Sequence, residues 1–171
     1  LRRVPDLLLV LVPRHPERFG EVRERVQKSG FGVVSRTERR SCEDSTSVLL
    51  GDTMGEVPLF YAASDIAFVG GSLVPIGGHN LLEPAAQALP VITGPHLFNA
   101  QDIADMFVDM NACKIVNDAS ELADAIDDLL ANPEKAAQMG MNSRTLLERN
   151  KGALARLLVL VEPLLAERPQ P

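Results

Sequence analysis

The sequence predicts an α/β domain built on a doubly wound, six-stranded parallel sheet, and three observations point there. Six short apolar runs recur along the 171 residues, and amphipathic or loop segments separate most of them. Apolar residues make up 46% of the chain, enough at this length for one well-filled core. Its aromatics are only six Phe and one Tyr, with no Trp, so the core is Leu, Val, Ile and Ala, which suits helices layered on a sheet better than an aromatic-rich sandwich.

Residues 7–12 (LLLVLV) form a continuous apolar run stopped by Pro13, the pattern of a strand buried on both faces. Residues 17–29 read as a helix, with Phe19, Val22 and Val26 on one face, Glu and Arg on the other, and Gly30 closing it. A second strand follows at 31–35. The polar stretch 36–46 stands where a crossover helix is expected and reads as a loop or a degenerate helix. Strand three is 47–50, a short helix spans 56–63, and strand four is 65–69 (DIAFV). A glycine-rich loop, 70–80, leads into a helix through Ala88 that carries Pro84 in its first turn, where proline is tolerated. Strand five is 91–93, a helix spans 99–110, and strand six is 113–116. Helices at 119–131, 133–150 and 152–166 complete the chain.

Alternating strands and helices imply a Rossmann-like parallel sheet with right-handed crossovers, and six strands suggest the order 3-2-1-4-5-6. In that order the chain reverses direction between strands one and four, and ligands bind beside the carboxyl ends of those strands. The loops at that point are 13–18 and 70–80, the two most unusual stretches in the sequence. The topology predicts that they meet.

Charge is unevenly spread. Residues 1–40 hold ten Lys or Arg against five Asp or Glu, whereas the rest of the chain is strongly acidic and the whole carries −6. No Lys or Arg occurs between Arg40 and Lys114, so an anion held by the middle of the chain must borrow its countercharge from elsewhere. An acidic whole without a basic stripe argues against nucleic acid as a partner. Cys42 and Cys113 show no spacing for a disulfide framework or a zinc site. The longest apolar stretches, 7–12 and 157–161, are far shorter than the ~20 residues a membrane span needs.

The loop Gly70-Gly71-Ser72-Leu73-Val74-Pro75-Ile76-Gly77-Gly78-His79-Asn80 is the first chemical feature. Its four glycines allow positive φ and close backbone approach, so amides of the loop and of the following helix start can face an anion as a phosphate cradle. A tight strand-to-helix connection is the plain alternative. Glu83, three residues past Asn80, either completes a capping box or accepts the two hydroxyls of a ribose. His79 either donates to a ligand oxygen or satisfies a backbone carbonyl. The second feature is Pro13-Arg14-His15-Pro16-Glu17-Arg18, where two prolines stiffen a strand-end loop and Arg14 is the best-placed countercharge for a phosphate. Arg18 is expected to face solvent or to pair with a nearby carboxylate.

Other chemistries are disfavoured. The turn after strand one lacks GxGxxG, and strand two ends in Ser35-Arg36 rather than an acid, against a dinucleotide dehydrogenase. There is no P-loop and no GxSxG elbow. Asp127-Asp128 and the series Asp102, Asp105, Asp109 read as solvated helix faces, and no metal site is expected.

Taken together, Val12-Pro-Arg-His-Pro-Glu-Arg-Phe19, Gly51-Asp-Thr-Met-Gly-Glu56, Ala67-Phe-Val-Gly-Gly-Ser-Leu73, Gly77-Gly-His-Asn80 with Leu82-Glu83, and Gly94-Pro-His96 with Phe98-Asn99 resemble the C-terminal half of the 3-deoxy-D-manno-octulosonic acid (Kdo) transferases. The resemblance runs nearly end to end. It implies one half of a GT-B enzyme, the donor-binding half that grips CMP-Kdo, with the acceptor site, catalytic base and membrane-associating segment in an N-terminal half. Residues 1–171 would then form a single nucleotide-sugar binding domain with a terminal helix over 150–166, and the chain, which begins Leu-Arg-Arg rather than Met, would be a piece of something longer.

The resemblance makes Pro13, Arg14 and His15 part of the CMP site, puts Met54, Gly55 and Glu56 near the nucleotide, and sets Gly77, Gly78, His79 and Asn80 against phosphate with Glu83 on the ribose. Gly71 and Ser72 of the same loop complete the expected binding set. No catalytic residue and no cofactor is expected in this chain. The implied partners are CMP-Kdo, a lipid A precursor and the chain's own N-terminal domain, at the cytoplasmic face of the bacterial inner membrane. A GT-B half using a UDP-sugar and a non-catalytic nucleotide-binding module are the alternatives.

Overall fold

The computed structural model describes residue 1, residues 3–151 and residue 161. The expected terminal helix at 152–166 therefore lies, but for Val161, outside the described residues.

Six strands are present where the apolar runs place them: β1 (Leu9–Leu11), β2 (Val33–Ser35), β3 (Val48–Leu50), β4 (Ala67–Val69), β5 (Val91–Thr93) and β6 (Cys113–Ile115). All their pairings are parallel. The helices are α1 (Phe19–Lys28), α2 (Val57–Ala62), α3 (Leu82–Ala85), α4 (Gln101–Asp109), α5 (Ala119–Ala131) and α6 (Pro133–Asn150). Two of them begin later than the periodicity suggests, because 3-10 turns at Pro16–Arg18 and Phe98–Ala100 take up their first residues.

The strand order departs from expectation. The strands form two three-stranded ladders, β1-β3-β2 and β4-β5-β6, rather than one described ladder of six, and β3 rather than β2 occupies the middle of the first. The connections explain this. Between β1 and β2 the chain crosses through α1, whereas the link from β2 to β3 holds only a 3-10 turn, Arg36–Glu38. Without a helix to span, that link returns the chain to the position beside β2, between it and β1.

The apolar run of β1 is not buried on both faces as expected, since Leu8 and Leu9 remain 40% and 39% exposed. Edge position alone does not account for this, since β2 at the other edge of the ladder is buried at all three residues; a run of six Leu and Val marks a strand without showing what covers it. β5, like β2, is buried at all three residues, and it faces two cores. Val91 joins a core with Val69, Ala85, Phe107 and Leu146, while the next residue, Ile92, points to the opposite face and joins Val116, Ala125 and Leu129. A third cluster, Val33, Val48 and Leu50, packs under Val22 and Val26 of α1.

Two features of this packing bear on the site. The last residues of β1, β3 and β2 are in register, Leu11 beside Leu50 beside Ser35, so three loops leave the ladder at one level. Helix α6 holds the turn after α3: Ser143 donates its hydroxyl hydrogen to the Leu89 carbonyl at 3.1 Å, and Arg144 donates to the Ala86 carbonyl. Gly140 lets α6 approach so closely that a Cβ there would collide with the Ala88 carbonyl.

Candidate functional site

The two loops singled out by topology meet. Arg14, exposed after β1, donates from Nη1 to His79 Nδ1 at 3.0 Å, bridging 65 residues of sequence. Because Nδ1 accepts, the neutral ring carries its proton on Nε2. Burial, then the neighbouring charges of Arg14 and His15, hold the imidazole below its ordinary value against an opposing pull from Glu83. The ring lies over Gly71, where its Nε2 is 3.3 Å from the place a Cβ would occupy. Pro13 is half-buried and His15 is exposed, with its Nδ1 3.8 Å from the Glu17 carboxylate.

The glycine loop closes on itself more than the sequence suggests. The amide of Gly78 donates to the Gly71 carbonyl at 2.8 Å and that of His79 to the Gly70 carbonyl at 3.2 Å. Those two amides are thus committed within the loop, so the expected cradle of free amides is corrected at these positions: buried backbone groups must be paired, and here the loop pairs them internally. Gly77 and Gly78 are still required, at φ 105° and 73°, and a Cβ on Gly77 would collide with the Asn99 side chain. Countercharge at this site comes from side chains, Arg14 foremost.

Ser72 is also corrected. It is fully buried, and its hydroxyl donates to the Val69 carbonyl at 2.7 Å and accepts from the Gly94 amide at 2.8 Å. Both functions of the hydroxyl are used in clasping the ends of β4 and β5, so it offers nothing to a ligand. A serine beside two glycines reads as a ligand contact in sequence because nothing local reveals the partner 22 residues away.

Asn80 and Glu83 do not form the expected capping box: Leu81 is the N-cap of α3 and has no side-chain cap, while Asn80 closes a turn just before it. Asn80 Oδ1 accepts from the Leu82 amide at 3.0 Å, and its Nδ2 lies 3.3 Å from Glu83 Oε1. Both side chains remain exposed, so their contact leaves Glu83 open to a ligand. Tyr61, on α2, is a neighbour that sequence reasoning missed: burial, with a smaller contribution from the Glu83 charge, pushes its phenol up to about 12.

The loop after β3 is held from the side. Glu56 Oε2 accepts from Thr53 Oγ1 at 2.6 Å and Oε1 from Arg36 Nη2 at 3.0 Å, and these bonds, Thr53 first, keep its carboxyl below the ordinary value. Met54 is 69% exposed and Gly55 has φ 81°. Arg36 was legible only as the residue where a dehydrogenase would have an acid; its pairing with Glu56 depends on β3 lying beside β2.

Among the described residues, no group of three or more His, Cys, Asp or Glu could hold a metal ion. Both cysteines are free thiols. Among the described residues, no helix is long and apolar enough to cross a membrane.

The family described as glycosyl transferases group 1 matches residues 31–146, more than half of the chain. The chain belongs to this family. Within it, the chain is 46% identical over 166 residues to the 3-deoxy-D-manno-octulosonic acid transferase of Haemophilus influenzae, covering 96% of this chain and 39% of that protein. It is 40% identical over 160 residues to the transferase of the same name from Bordetella pertussis, covering 92% of this chain and 37% of that protein. The chain thus spans less than two fifths of these relatives. A solved structure, the C-terminal CMP-Kdo binding domain of WaaA from Acinetobacter baumannii, is similar with a TM-score of 0.82 at 43% identity, covering 86% of this chain and 77% of that one. The expected α/β, GT-B-type C-terminal fold accords with that likeness, strand order excepted.

Proposed function

We propose that this chain is the donor-binding half of a transferase that moves Kdo from CMP-Kdo to a lipid A precursor. The observation that carries the reading is the junction of Arg14 and His79 beside Glu83, at the carboxyl ends of β1 and β4, in a chain 43% identical to a CMP-Kdo binding domain.

Departure of CMP builds negative charge on its phosphate while the sugar's anomeric carbon becomes cation-like. Donors fixed around that phosphate stabilise the transition state more than the ground state. Arg14 supplies the charge, and its bond to His79 fixes the guanidinium before the ligand arrives, so less entropy is lost on binding. Glu83, exposed at the start of α3, accepts the ribose hydroxyls; Met54, Gly55 and Glu56 border the nucleotide. Pro13 and His15 frame Arg14, and Gly71, Gly77, Gly78 and Asn80 shape the opposite wall.

The catalytic base and the acceptor site belong to an N-terminal domain, which also carries association with the cytoplasmic face of the inner membrane. The transfer uses the nucleotide sugar as substrate and no cofactor. Titration calorimetry of this chain with CMP and UMP tests the reading: CMP is expected to bind more tightly, and a clear preference for UMP would overturn it. Supplying the N-terminal half together with CMP-Kdo and a lipid A precursor is expected to yield transfer that neither half gives alone.

A further inference from the structure

Apart from Arg36, which braces Glu56, the basic turn after β2 is not used by the site above. Its three arginines, Arg36, Arg39 and Arg40, fall within five residues and differ in how they are held. Arg36 is tied to Glu56 at 3.0 Å and Arg40 to Glu38 at 2.6 Å. Glu38 also receives Arg23 at 2.7 Å and the Ser35 amide at 3.1 Å. These bonds, that of Arg40 foremost, bring its carboxyl down to about 2. From the other side, Asp52 accepts from both the amide and the hydroxyl of Thr37, at 2.9 and 2.5 Å. The turn is fixed at both ends before any ligand binds.

Arg39 stands apart. No side-chain partner is found for it among the described residues, and its backbone has φ 52°, a left-handed cap that glycine adopts freely and arginine does not. Of the acids bordering this turn, Glu38, Asp52 and Glu56 are engaged as above, while Glu43 acts on Arg40. Two adjoining open grooves share Arg36 and Arg39 in their walls: one, of about 650 Å³, is lined also by Arg40, Ser41, Cys42 and Leu49, and the other, of about 660 Å³, opens onto Met54 and Glu56 of the donor site. A side chain held in a strained turn, unpaired and facing a groove, is an arrangement suited to a ligand.

We propose that the first of these grooves is a second anion-binding site, specific for a phosphate monoester and separate from the Arg14 site. Arg39 binds it directly and Arg36 and Arg40 flank it. Guanidiniums spread along one turn present more N–H donors than the two oxygens of a carboxylate can accept, whereas the three terminal oxygens of a phosphate monoester can bridge them. The register separates the two sites. The loop of Arg14 leaves β1, that of Arg36 leaves β2, and β3 lies between, which sets the loops roughly 10 Å apart at ~4.8 Å per strand. The phosphate can be that of a soluble metabolite or of a lipid headgroup.

The test uses the full chain carrying Arg14→Ala, which weakens the donor site, and assigns the signal by its dependence on Arg39, so that a failure of the donor reading stays distinguishable. Titration with glycerol 3-phosphate is expected to show saturable binding, weakened at least fivefold by the further change Arg39→Gly. Glycine suits the positive φ, so that variant keeps or raises its melting temperature. Cosedimentation with phosphatidylcholine vesicles, with and without phosphatidic acid, separates the sources: Arg39-dependent binding to the acidic vesicles assigns a lipid phosphate, and binding of the soluble ester alone assigns a soluble one. Absence of saturable binding, or an affinity that Arg39→Gly leaves unchanged, overturns the proposal.

Discussion

Arg14 and His79 share a hydrogen bond of 3.0 Å although one follows β1 and the other precedes α3. That contact joins the basic N-terminal segment to a stretch without a single Lys or Arg, so the glycine loop borrows its positive charge across the fold. It also couples the protonation of one residue to the placement of the other.

Removing the borrowed charge is expected to weaken nucleotide binding. A hydrogen bond to a charged group contributes about 1.5–3 kcal/mol. Arg14→Ala should therefore lower CMP affinity by roughly one to two orders of magnitude, read by calorimetry. An unchanged dissociation constant would remove Arg14 from the site.

The same contact sets a pH dependence. The folded-state value of His79 lies below its ordinary 6.5, from burial first and then Arg14, so the unfolded chain takes up this proton at higher pH than the folded one. The contribution of His79 to stability is present above about 6.5 and is lost as pH falls through its lowered folded value. An NMR titration of the imidazole should give a midpoint below 6.5. In Arg14→Ala the midpoint should rise, because a like charge is gone; a midpoint that stays put would mean that burial alone sets it.

Ser72 and Thr93 are expected to respond in opposite senses. Ser72→Ala strands the buried Gly94 amide, at a cost of about 1–3 kcal/mol in urea denaturation. Thr93 is also fully buried, but its Oγ1 has no hydrogen-bond partner among the described residues. Thr93→Val keeps the shape and removes the unpaired hydroxyl, so it should leave stability unchanged or raise it by about 1 kcal/mol. Equal losses in both variants would refute the clasp.

Gly140→Ala tests the support behind α3. An added methyl must displace the Ala88 carbonyl, and overpacking of this kind costs about 1–3 kcal/mol. Because the displaced turn follows the short helix bearing Glu83, CMP affinity should fall as well, with the chain still folded. Loss of stability alone, with affinity intact, would confine α6 to a structural part.

Much of the site was legible in the sequence because its chemistry is local. Two prolines around Arg14 and four glycines before His79 mark loops by their backbone needs alone, and the alternation of strands and helices predicts which loops share an edge. Asn80 and Glu83 meet side chain to side chain, but the N-cap of α3 is Leu81, one residue later than spacing suggests. What stayed hidden depends on distant partners: Ser72 looks like a ligand residue until Gly94 takes its hydroxyl, and Tyr61 has no signal until α2 packs beside Glu83.

By itself the sequence determined the six strands and the bounds of α5 and α6, since apolar periodicity and turn chemistry act over a few residues, and the alternation of elements predicted that the two loops meet. Only the tertiary structure decided the order of β1, β3 and β2, the exposure of Leu8 and Leu9, and the internal bonding of the glycine loop. Periodicity tells which residues must be buried and is silent on which strand lies beside them. That neighbour follows from the crossovers, and a twelve-residue link without a helix, from Arg36 to Ser47, places Arg36 beside Glu56 and leaves Arg39 facing an open groove.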